Sequence, residues 1–417
     1  MSNLQGVRCA DGVPCQEQAI SGDCTLKANS PFDLHPAMRA FYRLTKALLT
    51  RRQPVYVIYE VTDRCNLRCR MCSVWRRAKR QDELGLDQIE TLAGRLYDMG
   101  VVVVSLSGGE PFMRDDLPEI AQIFKRKGLI TRLMTNAVDV SERKIRAIVD
   151  AGIDSVSISL NTLFPEEEAY ICRSDNSLWG KVVSNMVLFS NIMRRRGSLL
   201  VMSTCVSSIN VDQLPLLEEF ASFMGFRANF MPTELAPKRK PGLRFSDCAP
   251  ELELSVANRT TFINSMNILL QRRRRGTILN SARFLREMRR FVLQNGSHCG
   301  ICDAGTLYFT VDPAGRFSIC HEFKPEDSLL SPGFISRFDS PRFQDHWREL
   351  RRACPGCMHP CWMEVSNTFR HIGPFAQTAS HFVGNYRKRK PITVKEALEF
   401  ASSLRQRLGR GPRVPAG

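Results

Sequence analysis

No stretch of this 417-residue sequence approaches the ~20 unbroken apolar residues that a membrane-spanning helix needs. The segment from Met1 to Cys24 lacks the apolar core of a secretory signal, so the expected location is the cytoplasm. Acidic residues are in the minority, 42 against 59 Lys and Arg, which leaves a formal net charge of +17. No recognition motif or aromatic–basic interleaving accompanies that charge, and nucleic acid is therefore not an expected partner. The basic residues fall in short runs at 194–196, 272–275, 351–352 and 387–390. They read first as solvated helix faces, and second as attraction for an acidic electron carrier, an anionic substrate or a membrane surface. A 43% hydrophobic and 24% charged composition is ordinary for a globular chain, and the length allows two or three domains.

Cysteine is what the sequence has in excess, with fifteen in all. In a reducing compartment disulfides are disfavoured, and short grouped spacings suit metal. Cys9, Cys15 and Cys24 lie near the start, and Cys172, Cys205 and Cys248 are scattered. Cys299, Cys302, Cys320, Cys354, Cys357 and Cys361 crowd the last third. Cys65, Cys69 and Cys72 form a C-x3-C-x2-C run directly after an apolar segment. Three thiolates there suffice for three irons of a cubane cluster, and the fourth iron is left for another ligand. The plainer alternative is three buried thiols beside a turn.

From Val55 a repeating unit begins. Strands are expected at Val55–Val61, Val101–Ser107, Ile130–Thr135, Ser155–Leu160, Leu199–Val206 and Arg227–Met231. Helices are expected between them at Asp87–Met99, Leu117–Lys127, Ser141–Ala151, Leu178–Arg195 and Val211–Met224, closed by Gly100, Gly128, Gly152, Gly197 and Gly225. Such alternation predicts an α/β fold with a parallel sheet and right-handed crossovers. Six units are too few for an eight-fold barrel, so a partial, TIM-like (β/α)6 barrel is the expectation. Helices are also expected at 36–51, across 251–296, and at Val394–Leu408. The division read from the sequence is an N-terminal extension (1–50), a barrel core (51–245), a helical linker (246–297), a small cysteine-rich α+β domain with a β-hairpin (298–366) and a basic tail (367–417).

Ligands of such sheets bind beyond the carboxyl ends of the strands. The Cys65 loop follows the first strand, and Ser107-Gly108-Gly109-Glu110-Pro111 ends the second. The glycines would let a ligand approach the backbone, and Glu110 offers a carboxylate to an ammonium group. Thr135 and Asn136 end the third strand, while Ser157, Ser159 and Asn161 edge the fourth with groups suited to ribose hydroxyls. Ordinary strand-end capping explains each polar residue equally well.

The cysteine run and the following Gly-Gly-Glu turn, in order and spacing, resemble the radical SAM superfamily over about residues 51–235. The resemblance implies a [4Fe–4S] cluster on Cys65, Cys69 and Cys72, with S-adenosylmethionine chelating the open iron. It implies Gly108, Gly109 and Glu110 at the methionyl ammonium, Ser159 and Asn161 at the ribose, and Arg173 near the methionyl carboxylate. The residue before the third cysteine, commonly aromatic and set against the adenine, is here Met71, whose thioether can also cover a ring face. The implied activity is reductive cleavage to a 5′-deoxyadenosyl radical that abstracts hydrogen from a substrate carbon, with electrons from an acidic donor such as flavodoxin or ferredoxin. No general acid or base is assignable.

In the last third, Cys302-x12-Gly315-x4-Cys320 precedes Cys354-x2-Cys357-x3-Cys361, with a hairpin and a Pro-Ala-Gly turn between. The pattern resembles the SPASM/twitch extension of radical SAM enzymes without its longer second cysteine run. One auxiliary [4Fe–4S] cluster is the economical reading, on Cys302, Cys320, Cys354 and Cys357, with Cys361 a close substitute and Cys299 spare. Zinc is the rival for the same ligands. His298, His321 and His359 read as neighbours rather than ligands. The expected substrate is a small metabolite, a sugar or lipid-linked molecule, or a peptide. The 64 residues before Cys65 show no ~80-residue winged-helix pattern of a leader-binding module, which tilts the expectation toward small substrates or a peptide presented by a separate partner. The alternatives are a peptide maturase with such a partner, a non-catalytic iron–sulfur or zinc protein, and an RNA-modifying radical enzyme.

Overall fold

In a computed structural model of the chain, residues 36–76, 82–194, 198–233, 250–254, 256–296, 300–354, 356–383 and 390–414 are described. Cys9, Cys15, Cys24, Cys248, Cys299, His298 and Gly197 lie outside them. Six parallel strands form in chain order: β1 (Tyr56–Thr62), β2 (Val103–Gly108), β3 (Ile130–Thr135), β4 (Ser155–Ser159), β5 (Leu199–Val206) and β6 (Arg227–Pro232). All of β1 and β5 is buried, as expected for strands covered on both faces. The sheet is open at β6 and does not close into an eight-fold barrel.

Alternation along the strands divides two surfaces. Val57, Tyr59, Val104, Leu106, Leu133 and Ile158 are buried toward the outer helices, where Tyr59 meets Phe124 edge-on at 6.0 Å. The opposite positions, Glu60, Ser107, Arg132, Ser157, Ser203 and Asn229, line an inner cavity. The outer helices are α2 (Leu86–Asp98), α3 (Leu117–Arg126), α4 (Glu142–Asp150), α5 (Pro165–Cys172), α6 (Ser177–Met193) and α7 (Leu214–Phe223), with α1 (Pro36–Thr50) ahead of them. Helix α4 starts as its sequence predicts: Ser141 Oγ accepts from Lys144 N, and Ile145, Ile148 and Val149 turn to the core. The sequence reading missed α5. Its eight residues have no single apolar face, and three consecutive glutamates open it.

The stretch 251–296 holds the expected packing pair of helices, α8 (Arg259–Arg272) and α9 (Ala282–Leu293). Between them the chain turns at Gly276, where φ is +74°, and Ile278 bridges to Ala228 beside β6. The foreseen hairpin is present as β7 (Tyr308–Val311) and β8 (Arg316–Ser318), followed by β9 (Asp327–Ser328). Asp312 builds its turn by accepting from the backbone of Ala314 and Arg316. The hairpin does not stand apart from the barrel, however. Strand β7 pairs in parallel with β1, Tyr56 opposite Tyr308, so one nine-stranded sheet runs β6-β5-β4-β3-β2-β1-β7-β8-β9. Beneath the hairpin, Phe317 packs against the rings of Phe309, Phe338, Phe343 and Trp347, with centroids 5.0 to 5.8 Å away.

Five helices follow β9 in the described chain: α10 (Phe334–Phe338), α11 (Pro341–Ala353), α12 (Pro360–Arg370), α13 (Ile372–Val383) and α14 (Val394–Leu408), the last returning to the barrel. Helix α14 has the predicted limits and a capping box of Thr393 with Glu396. Beyond it Arg410 pairs with Glu167 and Asp212, and Arg407 with Glu219. Part of the basic surplus thus fastens the C-terminal segment instead of remaining a free surface.

Candidate functional site

The loop after β1 is fixed by the turn after β2. Gly109 N donates to Thr62 O and Glu110 N to Arg64 O, both at 2.8 Å. A Cβ on Gly108 would lie 2.2 Å from Thr62 O, and one on Gly109 would lie 2.0 Å from Arg64 O. Gly108 also has φ +124°, a conformation side chains rarely adopt. The expectation was that these glycines clear space for a ligand. What their missing side chains admit is the backbone of the cysteine loop itself. Glu110 is likewise turned into the protein: it is 1% exposed, and its carboxyl accepts from Thr135 Oγ1 (2.7 Å), Asn136 N (2.7 Å) and Phe112 N (3.1 Å). Burial pushes that carboxyl up to about 7 against those hydrogen bonds.

The loop is tied at its other side to β3 and α5. Asn136 Nδ2 donates to Asn66 Oδ1 at 2.8 Å, and Asn66 Nδ2 to Val138 O at 3.0 Å. Arg70 N donates to Ile171 O, and the Arg70 guanidinium lies 4.0 Å over the Tyr170 ring. Cys65, Cys69, Cys72 and Met71 all face the inner cavity. Burial pushes the Cys65 thiol up to about 12, helped by Glu110 and the two neighbouring cysteines.

Ser159 ends β4 exposed to the cavity, and Asn161 lies beside it, 2% exposed. Both atoms of the Asn161 amide have protein partners: Nδ2 donates to Glu168 at 2.8 Å, and Oδ1 accepts from Cys205 N at 3.0 Å. Glu168 also accepts from the backbone of Asn161 and Thr162, and burial raises its carboxyl to about 7. Cys172 joins this group, with its thiol bonded to Glu168 at 3.5 Å and in hydrogen-bonding contact with Cys69. Sequence reasoning passed over Glu168 and Cys172. They lie on α5, the helix it did not foresee. Arg173 caps α5 at φ +53°, with its guanidinium 5.6 Å over the Trp75 ring.

The second field gathers at the same cavity. Cys302 Sγ lies 2.9 Å from the Tyr308 hydroxyl, and that ring stacks on Trp362 at 4.8 Å. Cys320 is buried close enough to Cys302 and Cys354 that each disfavours its ionisation, and Cys357 acts on Tyr308 in the same way. Cys361 faces other groups. Its thiol bonds to the Tyr56 hydroxyl and lies beside His359 and Arg132, which draw it down to about 7. His321 accepts from Trp362 Nε1 at 3.1 Å, and its ring meets that of His359 at 4.8 Å. Among the described residues, no three His, Cys, Asp or Glu side chains gather tightly enough for a single metal ion. Both cysteine fields open on one cavity of about 700 Å³.

A curved parallel sheet with a three-cysteine loop at its first strand end defines the class, and sequence comparison agrees. Residues 59–202 match the family model described as the radical SAM superfamily. Residues 59–202 thus resemble the radical SAM domain, and the relatives that share it are enzymes. It is 35% identical over 116 residues to the PqqA peptide cyclase of Rhizobium meliloti (strain 1021), a match covering 27% of this chain and 30% of that one. It is 28% identical over 221 residues to the GTP 3′,8-cyclase of Chlorobaculum tepidum, covering 49% and 65%. The matched part therefore spans between 30% and 65% of the length of these relatives. Among solved structures, Streptococcus suis SuiB bound to precursor peptide SuiA superposes with a TM-score of 0.56 at 14% identity, covering 84% of this chain and 83% of that one. The anSMEcpe structure with bound AdoMet gives 0.52 at 14%, covering 84% and 99%. These likenesses extend the shared fold beyond the barrel into the cysteine-rich region. Among the described residues no helix is long and apolar enough to cross a membrane.

Proposed function

We propose that the chain reductively cleaves S-adenosylmethionine and abstracts hydrogen from a substrate carbon inside the barrel. The observation that carries this reading is the three-thiol loop, clamped by Gly108 and Gly109 at the carboxyl rim of the parallel sheet and open to the cavity. Cys65, Cys69 and Cys72 would hold a [4Fe–4S] cluster, and S-adenosylmethionine bound there supplies the 5′-deoxyadenosyl radical when an electron arrives. The chain's own residues do the rest. Met71 would cover the adenine and Ser159 would meet the ribose beside Asn161, whose amide Glu168 and Cys205 hold in place. The backbone of Gly108 and Gly109, braced by the buried Glu110, would meet the methionyl end, with Arg173 near its carboxylate. The apolar wall of β1, Leu67 and Val74 keeps water from the radical.

Cys302, Cys320, Cys354 and Cys357 would hold one auxiliary [4Fe–4S] cluster, which their mutual proximity supports. Cys361 stands aside from that set, facing Tyr56 and Arg132. A peptide is the substrate class we favour, because relatives at both levels of comparison are named for peptide substrates. That reverses the tilt toward small molecules drawn from the N-terminal sequence. The test is anaerobic reconstitution with iron and sulfide, reduction, and addition of S-adenosylmethionine. Release of 5′-deoxyadenosine and methionine, absent in Cys65→Ala, is the expected result. A reduced, cluster-loaded protein that leaves the nucleotide intact would instead be a non-catalytic iron–sulfur protein.

A further inference from the structure

Arg132 is an arginine with no carboxylate partner among the described residues. It lies in β3 on the inner face of the barrel, and its Nε is buried with no hydrogen-bond partner. Other arginines drawn into the fold are matched to carboxylates: Arg114 to Asp116 at 2.6 Å, Arg272 to Glu219 at 2.8 Å, Arg370 to Asp303 at 2.5 Å and Arg410 to Glu167 at 2.7 Å. No carboxylate lies within ion-pair distance of Arg132 among the described residues; its charged surroundings are the Cys361 thiol and the Tyr56 hydroxyl. The neighbouring position in β4, Ser155, shares this face in register with Arg132, and its buried Oγ also has no partner. A half-buried guanidinium whose Nε is shut away without an acceptor is costly, as is an unbonded buried hydroxyl. Two such groups in register on adjacent strands, the arginine lining the cavity, are the mark of a site completed by something that enters it.

We propose that Arg132 and Ser155 bind an anionic oxygen group of the substrate, a carboxylate or a phosphate, at the floor of the barrel. A planar guanidinium matches either group through paired N–H donors, and a serine hydroxyl adds a further donor. Among the remaining inner positions, Ser157, Ser203 and Asn229 are neutral hydroxyls and an amide, and the one strand carboxylate on this face is Glu60 in β1, two strands from Arg132. Arg132 is four residues before Asn136 at the rim, about 13 Å along an extended strand. The substrate therefore enters anionic end first and presents its reacting carbon higher up, toward the cysteine loop. This inference rests on the proposed function only in taking the cavity as the substrate's.

The test titrates succinate, inorganic phosphate and neutral succinamide, separately, into the anaerobically reconstituted full chain by calorimetry. The wild type is expected to bind one of the anions about tenfold or more tighter than succinamide, and Arg132→Met to lose that preference. Succinate or phosphate, whichever binds, identifies the carboxylate or phosphate source. Arg132→Lys keeps the charge without the paired donors and should retain part of the preference, which guards against a methionine variant that fails to fold. Equal anion binding by wild type and Arg132→Met, or no preference for an anion in the wild type, overturns the proposal. Cleavage of S-adenosylmethionine without substrate, measured on the same samples, reports on the proposed function alone. Loss of cleavage with anion preference intact would sink that function and leave the anion site standing.

Discussion

Cys65, Cys69 and Cys72 come from eight consecutive residues, whereas Cys302, Cys320, Cys354 and Cys357 are drawn from 56. The first set is a local device. Its spacing alone places three thiols on one loop, and the sheet needs only to hold that loop, which Gly108 and Gly109 do by backbone contact. The second set exists only once the chain has folded. A strand entry, a hairpin exit and the link between α11 and α12 must converge before those thiols face one another. The contrast suits the proposed roles. A cluster that must admit a nucleotide is carried on one loop at the rim of the sheet, and one closed by four protein ligands is assembled from segments distant in sequence.

The largest test of this contrast is removal of one thiol from each set. Cys65→Ala should abolish cleavage of S-adenosylmethionine, and iron should fall from about eight to about four per chain. Cys357→Ala should also bring iron to about four, leaving the first cluster spectroscopically intact. Cys361→Ala should leave iron near eight; a fall to about four would move Cys361 into the ligand set. Next in size is the clamp. Gly109→Ala places a methyl against Arg64 O, a backbone atom with no room to yield, and should cost on the order of 3 kcal/mol or more, read as a lowered unfolding midpoint.

A smaller effect follows from Glu110 and Glu168, whose folded values near 7 lie above the ordinary 4.5. Between those values the folded chain keeps protons that the unfolded chain releases. Stability of the cluster-free chain should therefore fall as pH rises from about 4.5 to about 7, by up to about 3 kcal/mol for each carboxyl, and level off above. Urea melts across that range measure it, and Glu110→Gln, lacking a titratable group, should flatten the slope. The smallest effect is on the enclosed side: Tyr308→Phe removes the hydroxyl beside Cys302 and should cost about 1 kcal/mol, since the ring stack on Trp362 survives.

The order of strands and most helix limits followed from the sequence because each unit repeats the same local signals. Val394–Leu408 came out to the residue, having a capping box at one end and a glycine at the other. Helix α5 did not, because Pro165–Cys172 carries its burial on Glu167, Glu168, Ala169, Ile171 and Cys172, a pattern with no apolar stripe. With it went Glu168 and Cys172, whose places are set by tertiary packing. Arg132 was equally invisible: in Ile130–Thr135 an arginine between apolar residues looks like an ordinary solvent-facing strand position. Only the curvature that turns this face inward makes it part of the cavity. The glycines were foreseen for a ligand, but the sequence does not reveal which backbone approaches them.

The pairing of β7 with β1 bears on how the chain can be cut or shortened. A fragment ending before Cys302 would leave β1, a fully buried strand of β-branched and aromatic residues, with one side of its hydrogen-bonding ladder unfilled. Bare strand borders of that kind recruit other chains and aggregate. The cysteine-rich third of the protein is, in this sense, a built-in cover that keeps the catalytic third monomer-safe, and the two are expected to be inherited, expressed and unfolded together.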